Sequence, residues 1–265
     1  MTARASLQVG VLGIGMLGPG LADWATAQLL LREPAGWVRA TTVVPPPQRL
    51  PATERRRAGT VVKASIVVAD QALEGSSIDA AGLATVFTSS TGDPLNCHLL
   101  CEALALPGRL VSPTRFTNSV HNAPAGYWHI AAASRAPSTS LAAFDASFGA
   151  GLLEAAVQCQ TTQAPVLLVA CDMPYPEPLH ALRPVADVFA LALLLAPAAG
   201  RGLHLGITAE GAATPCAYPG LEALRRTIPP ARALPLLQAL AGNAAASLVL
   251  EGLPGMAWRI EVDAC

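Results

Sequence analysis

The sequence predicts an α/β protein with a mostly parallel sheet covered by helices on both faces. Short apolar runs suited to buried strands alternate along the chain with segments of helical period. The helical pattern over 146–159 leads into the fully apolar run Pro165–Asp172 at the spacing of a βαβ unit. Hydrophobic residues make up 52 % of the 265-residue chain and charged residues 13 %, enough apolar mass for one large domain or two closely packed halves.

The charge balance narrows the partners. A formal net charge of −1 gives no reason to expect nucleic acid or an anionic membrane as ligand. So little charge on a chain this size predicts that part of its surface is covered by another protein. The six cysteines (97, 101, 159, 171, 216 and 265) lie scattered in apolar surroundings and read as reduced, mostly buried thiols. Residues 7–18 hold four glycines and lead straight into an amphipathic segment, unlike a signal-peptide core. The longest apolar run, Val188–Ala196, is too short to span a bilayer and is closed by Pro197. The expectation is a soluble, cytoplasmic protein with no membrane span and no cofactor.

Taken in order, Leu7–Ile14 is a buried-strand pattern. It runs into Gly13-Ile-Gly15-Met-Leu-Gly18-Pro19-Gly20, formally a dinucleotide fingerprint. Pro19-Gly20 breaks the helix start that should cradle a pyrophosphate, so a tight turn and a close strand–helix approach are favoured over nucleotide binding. Residues 34–53 are Pro-rich and read as a loop. Glu54–Leu73 is predicted to be one helix, its exposed start carrying Arg55, Arg56 and Arg57, a solvated face or a dock for an acidic partner. Leu83–Ser89 is a strand followed by the turn Ser90–Asp93. Cys97, His98 and Cys101 share the next helix, but no second ligand pair exists for zinc, so no metal site is expected.

Asn122 and Pro124 predict a helix start, with His121 just outside it facing a pocket or a neighbouring chain. Residues 136–156 read as an extended run, a sharp turn and a small-residue helix with Phe148, Leu152, Ala155 and Cys159 on its apolar face. Asp145 is expected to be the N-cap, with Ser147 in the first turn. Asp187–Leu195 and Gly202–Glu210 read as strands, Leu234–Leu250 as a helix and Ala257–Val262 as a closing strand.

Four segments resemble the N-terminal half of the β-ketoacyl synthases, which have a thiolase-type fold. They are Val9–Gly15 with Pro19-Gly20 and Trp24; Leu50-Pro51, Arg55–Arg57 and Lys63 running into Val86–Gly92; Pro113–Gly126, containing Ser-Val-His-Asn-Ala-Pro-Ala-Gly; and Ala136–Ala155, containing Ser-Phe-Gly-Ala-Gly-Leu-Leu-Glu-Ala. The chain is similar to the short ketosynthase-like subunits called chain-length factors of aryl polyene and xanthomonadin-type pigment pathways. The resemblance covers residues 5–197, which divides the chain into a ketosynthase N-terminal-like half, 1–199, and a reduced C-terminal portion, 200–265, packed on the same domain.

The resemblance implies that the nucleophilic cysteine's position falls on Asp145, and the two histidine loops of condensing enzymes have no counterpart here. A carboxylate cannot replace the thiolate, nor are there two histidine donors for the enolate. The implied function is a non-catalytic partner that pairs with a full-length ketosynthase in type II polyene, polyketide or fatty-acid-like chain elongation. It also implies that Thr117, Asn118, Val120, His121, Asn122 and Phe148 face the interface or acyl tunnel, and that acyl carrier protein docks mainly through the ketosynthase, with Arg55–Arg57 available to it. The alternative is an acyl-transferring or hydrolytic enzyme with Ser147 as nucleophile and His121 as base.

Overall fold

The computed structural model describes residues 7–197, 200–208 and 211–264. In chain order, β1 (Leu7–Leu17) is followed by α1 (Trp24–Arg32), α2 (Ala52–Arg57) and α3 (Thr60–Leu73). Next come β2 (Ala84–Thr88), α4 (Pro94–Ala105), α5 (Pro113–Thr117) and α6 (Ala123–Ala131). β3 (Ser138–Leu141) and α7 (Ser147–Thr162) precede β4 (Val166–Asp172) and the single turn α8 (Leu179–Leu182). The chain continues through β5 (Phe189–Ala196), β6 (Arg201–Thr208), α9 (Pro219–Thr227), α10 (Leu234–Ala241), β7 (Ala246–Glu251) and β8 (Ala257–Val262).

The strands form one sheet in the order β3-β2-β4-β5-β1-β6-β8-β7. It is not mostly parallel: β2 runs parallel to β3 and β4, and the other five pairings are antiparallel. The reason lies in what a continuous apolar run encodes. Every residue of β4 and β5 is buried because both faces are covered, and burial says nothing of strand direction. Leu168, Leu191 and Leu193 pack on one face with α7 and α10, while Leu167, Val169 and Leu194 pack on the other with α3 and α6.

α3 is apolar nearly all round, since ten of its fourteen residues are buried between the sheet and α6. Its approach to β1 explains the glycines. Gly13 and Gly15 lie within the strand rather than in a turn, and a Cβ on Gly15 would sit 1.9 Å from the Val68 carbonyl oxygen. These glycines bring a helix onto a sheet, a use unrelated to phosphate binding.

Two further expectations, both helices, are corrected. The predicted helix Glu54–Leu73 is two, α2 and α3, broken at Ala58-Gly59, so Arg55–Arg57 close α2 rather than open a long helix. The predicted helix Leu234–Leu250 stops at Ala241, where Gly242-Asn243 ends it, and β7 follows with Leu248 and Leu250 buried on alternate positions. Cys97 and Cys101 are exposed; Cys159, Cys171 and Cys216 are buried, and burial pushes the Cys216 thiol up to about 12. Cys265 lies outside the described residues. Among the described residues no helix is long and apolar enough to cross a membrane.

The glycine contacts can be tested as a pair. Gly15→Ala forces a methyl into the α3 backbone and is expected to lower stability by about 3 kcal/mol. Gly126→Ala, in the open interior of α6, is expected to raise it by about 0.5–1 kcal/mol. Urea denaturation of both variants reads the two signs.

Candidate functional site

The turn between β3 and α7 is built by Ser147 and Phe144. Helix α7 begins at Ser147, with Ala146 rather than Asp145 at its N-cap. The buried Ser147 hydroxyl donates to the Phe144 carbonyl at 2.6 Å and accepts the Ala143 N–H at 2.9 Å, so it stitches the turn that precedes the helix, and no side chain caps α7 in place of Asp145. Phe144 adopts a positive φ of 51°, which sharpens the turn. Thr88, at the end of β2, donates to the Ser147 carbonyl at 2.8 Å and ties the turn to the sheet. Phe148 points into the core and is buried.

Asp145 is engaged elsewhere. Its Oδ1 accepts from Arg183 at 2.5 Å and its Oδ2 from Arg232 at 3.0 Å. Arg232 also reaches Glu251 at 2.5 Å, Glu251 meets Arg225 at 3.0 Å, and Arg225 forks onto Glu222 at 2.7 and 2.8 Å. Six side chains of alternating sign thus run from the α7 turn to β7 and α9. Arg183 is further fixed by the Ser90 hydroxyl at 2.6 Å, by the Tyr175 hydroxyl at 3.0 Å and by stacking 4.1 Å over the Phe144 ring. The guanidinium of Arg225 holds the Glu222 carboxyl below the usual carboxylate range.

A second turn, Ser89–Gly92, faces the first. Asp172, at the end of β4 and fully buried, gathers it: one carboxylate oxygen accepts from Ser89 Oγ (2.7 Å), Ser90 N (2.8 Å), Thr91 N (2.7 Å) and Thr91 Oγ1 (2.8 Å). Burial pushes the Asp172 carboxyl above its ordinary range, against the opposing pull of these donors. The Ser89 carbonyl lies 3.3 Å from His121 Nε2.

The segment before α6 divides into anchors and exposed residues. Asn118 is buried, donating to the Arg57 carbonyl at 2.8 Å and accepting the Tyr127 hydroxyl at 3.0 Å; it joins α2 to α6 rather than facing outward. Thr117 turns its hydroxyl back onto the carbonyls of Pro113 and Thr114. Asn122 precedes α6 but its side chain makes no capping bond. Val120 and His121 are exposed. The imidazole's hydrogen bond goes to Ser89, not to Ser147.

The basic cluster extends beyond the three arginines of the sequence pattern. Arg55 bonds back onto Pro47 and Gln48, while Arg56 and Arg57 join Lys63 and Arg115 around a cleft of about 480 Å³ at the start of α3. Lys63 belongs to the same sequence segment as the arginines, whereas Arg115 is brought to them by the fold, which sets α5 beside the start of α3. Asp93 lines the same cleft, and burial raises its carboxyl above the ordinary value. No cluster of metal-ligating side chains occurs among the described residues.

The sequence model of the β-ketoacyl synthase N-terminal domain family matches residues 25–247. The chain belongs to that family. A comparison with curated proteins finds no match. Among solved structures, the fold is similar to that of the ketosynthase ApeO in complex with its chain length factor ApeC from Xenorhabdus doucetiae. The identity is 22 % and the TM-score 0.75, over 96 % of this chain and 99 % of that one. The ishigamide ketosynthase/chain length factor aligns at 14 % identity and TM-score 0.70, over 97 % and 99 % of the two chains. A type II acyl-carrier protein complex with its ketosynthase, AntDE:AntF, aligns at 12 % identity and TM-score 0.75, over 98 % and 100 %. The fold is therefore the thiolase-like fold of the ketosynthases.

Two measurements probe the ion chain. Asp145→Ala strands Arg183 and Arg232 and is expected to cost about 1.5–3 kcal/mol of stability in urea unfolding. The stability that Glu222 contributes is expected to be full above pH 4.5, its unfolded value, and lost as pH falls through the lowered folded value. The advantage of the wild type over Glu222→Gln should therefore shrink in acid, read as urea midpoints from pH 7 to pH 3.

Proposed function

We propose that this chain is a non-catalytic ketosynthase-like partner, a chain-length factor, that pairs with a full-length β-ketoacyl synthase. The observation that carries the reading is Asp145. The position that the family resemblance assigns to the nucleophile holds a carboxylate bound by two guanidiniums, a group that cannot accept an acyl chain from a thioester while so engaged. Ser147, the alternative nucleophile, is buried and has its proton committed to a backbone carbonyl.

The two edges of the sheet support a partner on one side. β7 is covered at Val249 by Thr214, whose N–H and hydroxyl bond its carbonyl and N–H at 2.8 and 2.9 Å. β3 pairs only with β2 among the described residues and leaves its other edge open. The segment from α4 to α6 exposes Leu104, Leu106, Leu110, Phe116 and Val120, the apolar surface a protein partner would cover. Solved structures of the same fold that are ketosynthase/chain length factor pairs support this reading.

In the proposed complex Val120 and His121 face the partner and the growing chain, and the cleft of Arg56, Arg57, Lys63 and Arg115 offers an acidic carrier protein a contact. The pathway class is aryl polyene-like chain elongation in the cytoplasm, and residues 200–265 act as a reduced C-terminal portion of the same unit.

Light scattering of the chain alone and co-expressed with the ketosynthase of its gene neighbourhood tests the reading. A stable one-to-one complex is expected, and Leu110→Asp with Val120→Asp should lower its affinity at least about tenfold. A monomer or homodimer indifferent to the ketosynthase, or labelling of Ser147 by a fluorophosphonate, overturns it.

A further inference from the structure

Asp172 closes an otherwise apolar strand, and the function proposed above leaves it unused. Four donors meet on one of its oxygens, and Ser89 Oγ relays a fifth contact by accepting the Gly92 N–H at 2.8 Å. All four residues of the Ser89–Gly92 turn are thus tied to a single atom. The other oxygen is buried and has no hydrogen-bond partner among the described residues, so the carboxylate is held from one side only.

The turn in turn sets two separate parts of the site. Its Ser89 carbonyl meets His121, beside the exposed Val120. Its Ser90 hydroxyl meets Arg183, which holds Asp145. These contacts span sequence separations of 32 and 93 residues, so no local element fixes them. A side chain that merely filled the end of β4 would need no charge, and a buried charge is costly unless its partners require it.

We propose that Asp172 is a positioning residue that determines the length of the acyl chain made by the complex. It does so by fixing the Ser89–Gly92 turn, and with it His121 and Arg183. The proposal rests on the chain-length-factor reading.

The test uses the full chain with its ketosynthase. Asp172→Asn keeps the volume and one acceptor oxygen but removes the charge from the four donors. The expected result is an intact one-to-one complex whose products, resolved by mass spectrometry, shift by at least one two-carbon unit, the wild-type product falling at least about fivefold. Ser89→Ala, which removes one donor and the Gly92 contact, should shift the products in the same direction. Leu237→Ala, a core truncation in α10, is the control for general loosening and should leave the distribution unchanged.

Unchanged products from an intact Asp172→Asn complex overturn the proposal, as does an equal shift in Leu237→Ala. If the wild-type pair neither assembles nor makes product, the functional reading fails instead. The positioning claim then stands or falls on the lone chain: Asp172→Asn should move the His121 imidazole resonances and Leu237→Ala should not.

Discussion

One carboxylate oxygen, on Asp172, holds together the ends of the strands that carry the site. It stops β4 in a fully buried position and takes its donors from the turn after β2, so the two parallel neighbours end in register. Each hydrogen bond to a charged acceptor is worth about 1.5–3 kcal/mol, and four together offset the several kcal/mol of desolvating the charge. The α7 turn leans on the same place through Thr88, and His121 and Arg183 lean on it from outside. Without that acceptor the turn after β2 would hold four donors without partners.

Around this anchor the charges are arranged so that each inner member of the chain lies between two of opposite sign. Asp145 sits between Arg183 and Arg232, and Glu251 between Arg232 and Arg225. Such a chain suits a site that is neither open to solvent nor dry, because no member is left to face a low-dielectric wall alone. It also explains why a carboxylate is tolerated in a turn between a strand and a helix that has no side-chain cap from the residue before it.

The regular elements were legible where period and punctuation agreed. β1, β2, β4 and β5 follow from apolar runs, and the buried face of α7 follows from Phe148, Leu152, Ala155 and Cys159. Strand direction was not legible, because a run buried on both faces reads alike in parallel and antiparallel neighbours. The leucine spacing over Leu234–Leu250 fits one helix, but Gly242-Asn243 ends α10 and the later leucines belong to β7. In the site, Asp145 stood out by its position, but its partners lie 38 and 87 residues away. Asp172 had no signal beyond ending a strand, since its donors are backbone and hydroxyl groups some 80 residues earlier, brought there by the pairing of β2 with β4. Arg115 was hidden in the same way. The bridging role of Asn118 was not legible, because a polar residue between exposed ones gives no hint that its amide joins two helices.

The separation of Asp145 from Arg232 bears on the order in which the protein matures as it is made. Contacts that close long loops form late, since the chain must first lose the freedom of the loop. When β3 and the start of α7 leave the ribosome, neither Arg183 nor Arg232 has yet emerged. The turn at Asp145 therefore acquires its full set of partners only after residue 232 has emerged and the short 3-10 helix Pro229–Ala233 has docked against it. A nascent chain halted before that point would carry the sheet's central strands β1, β4 and β5 but an unfinished site, so translation to the last quarter of the chain is what completes it.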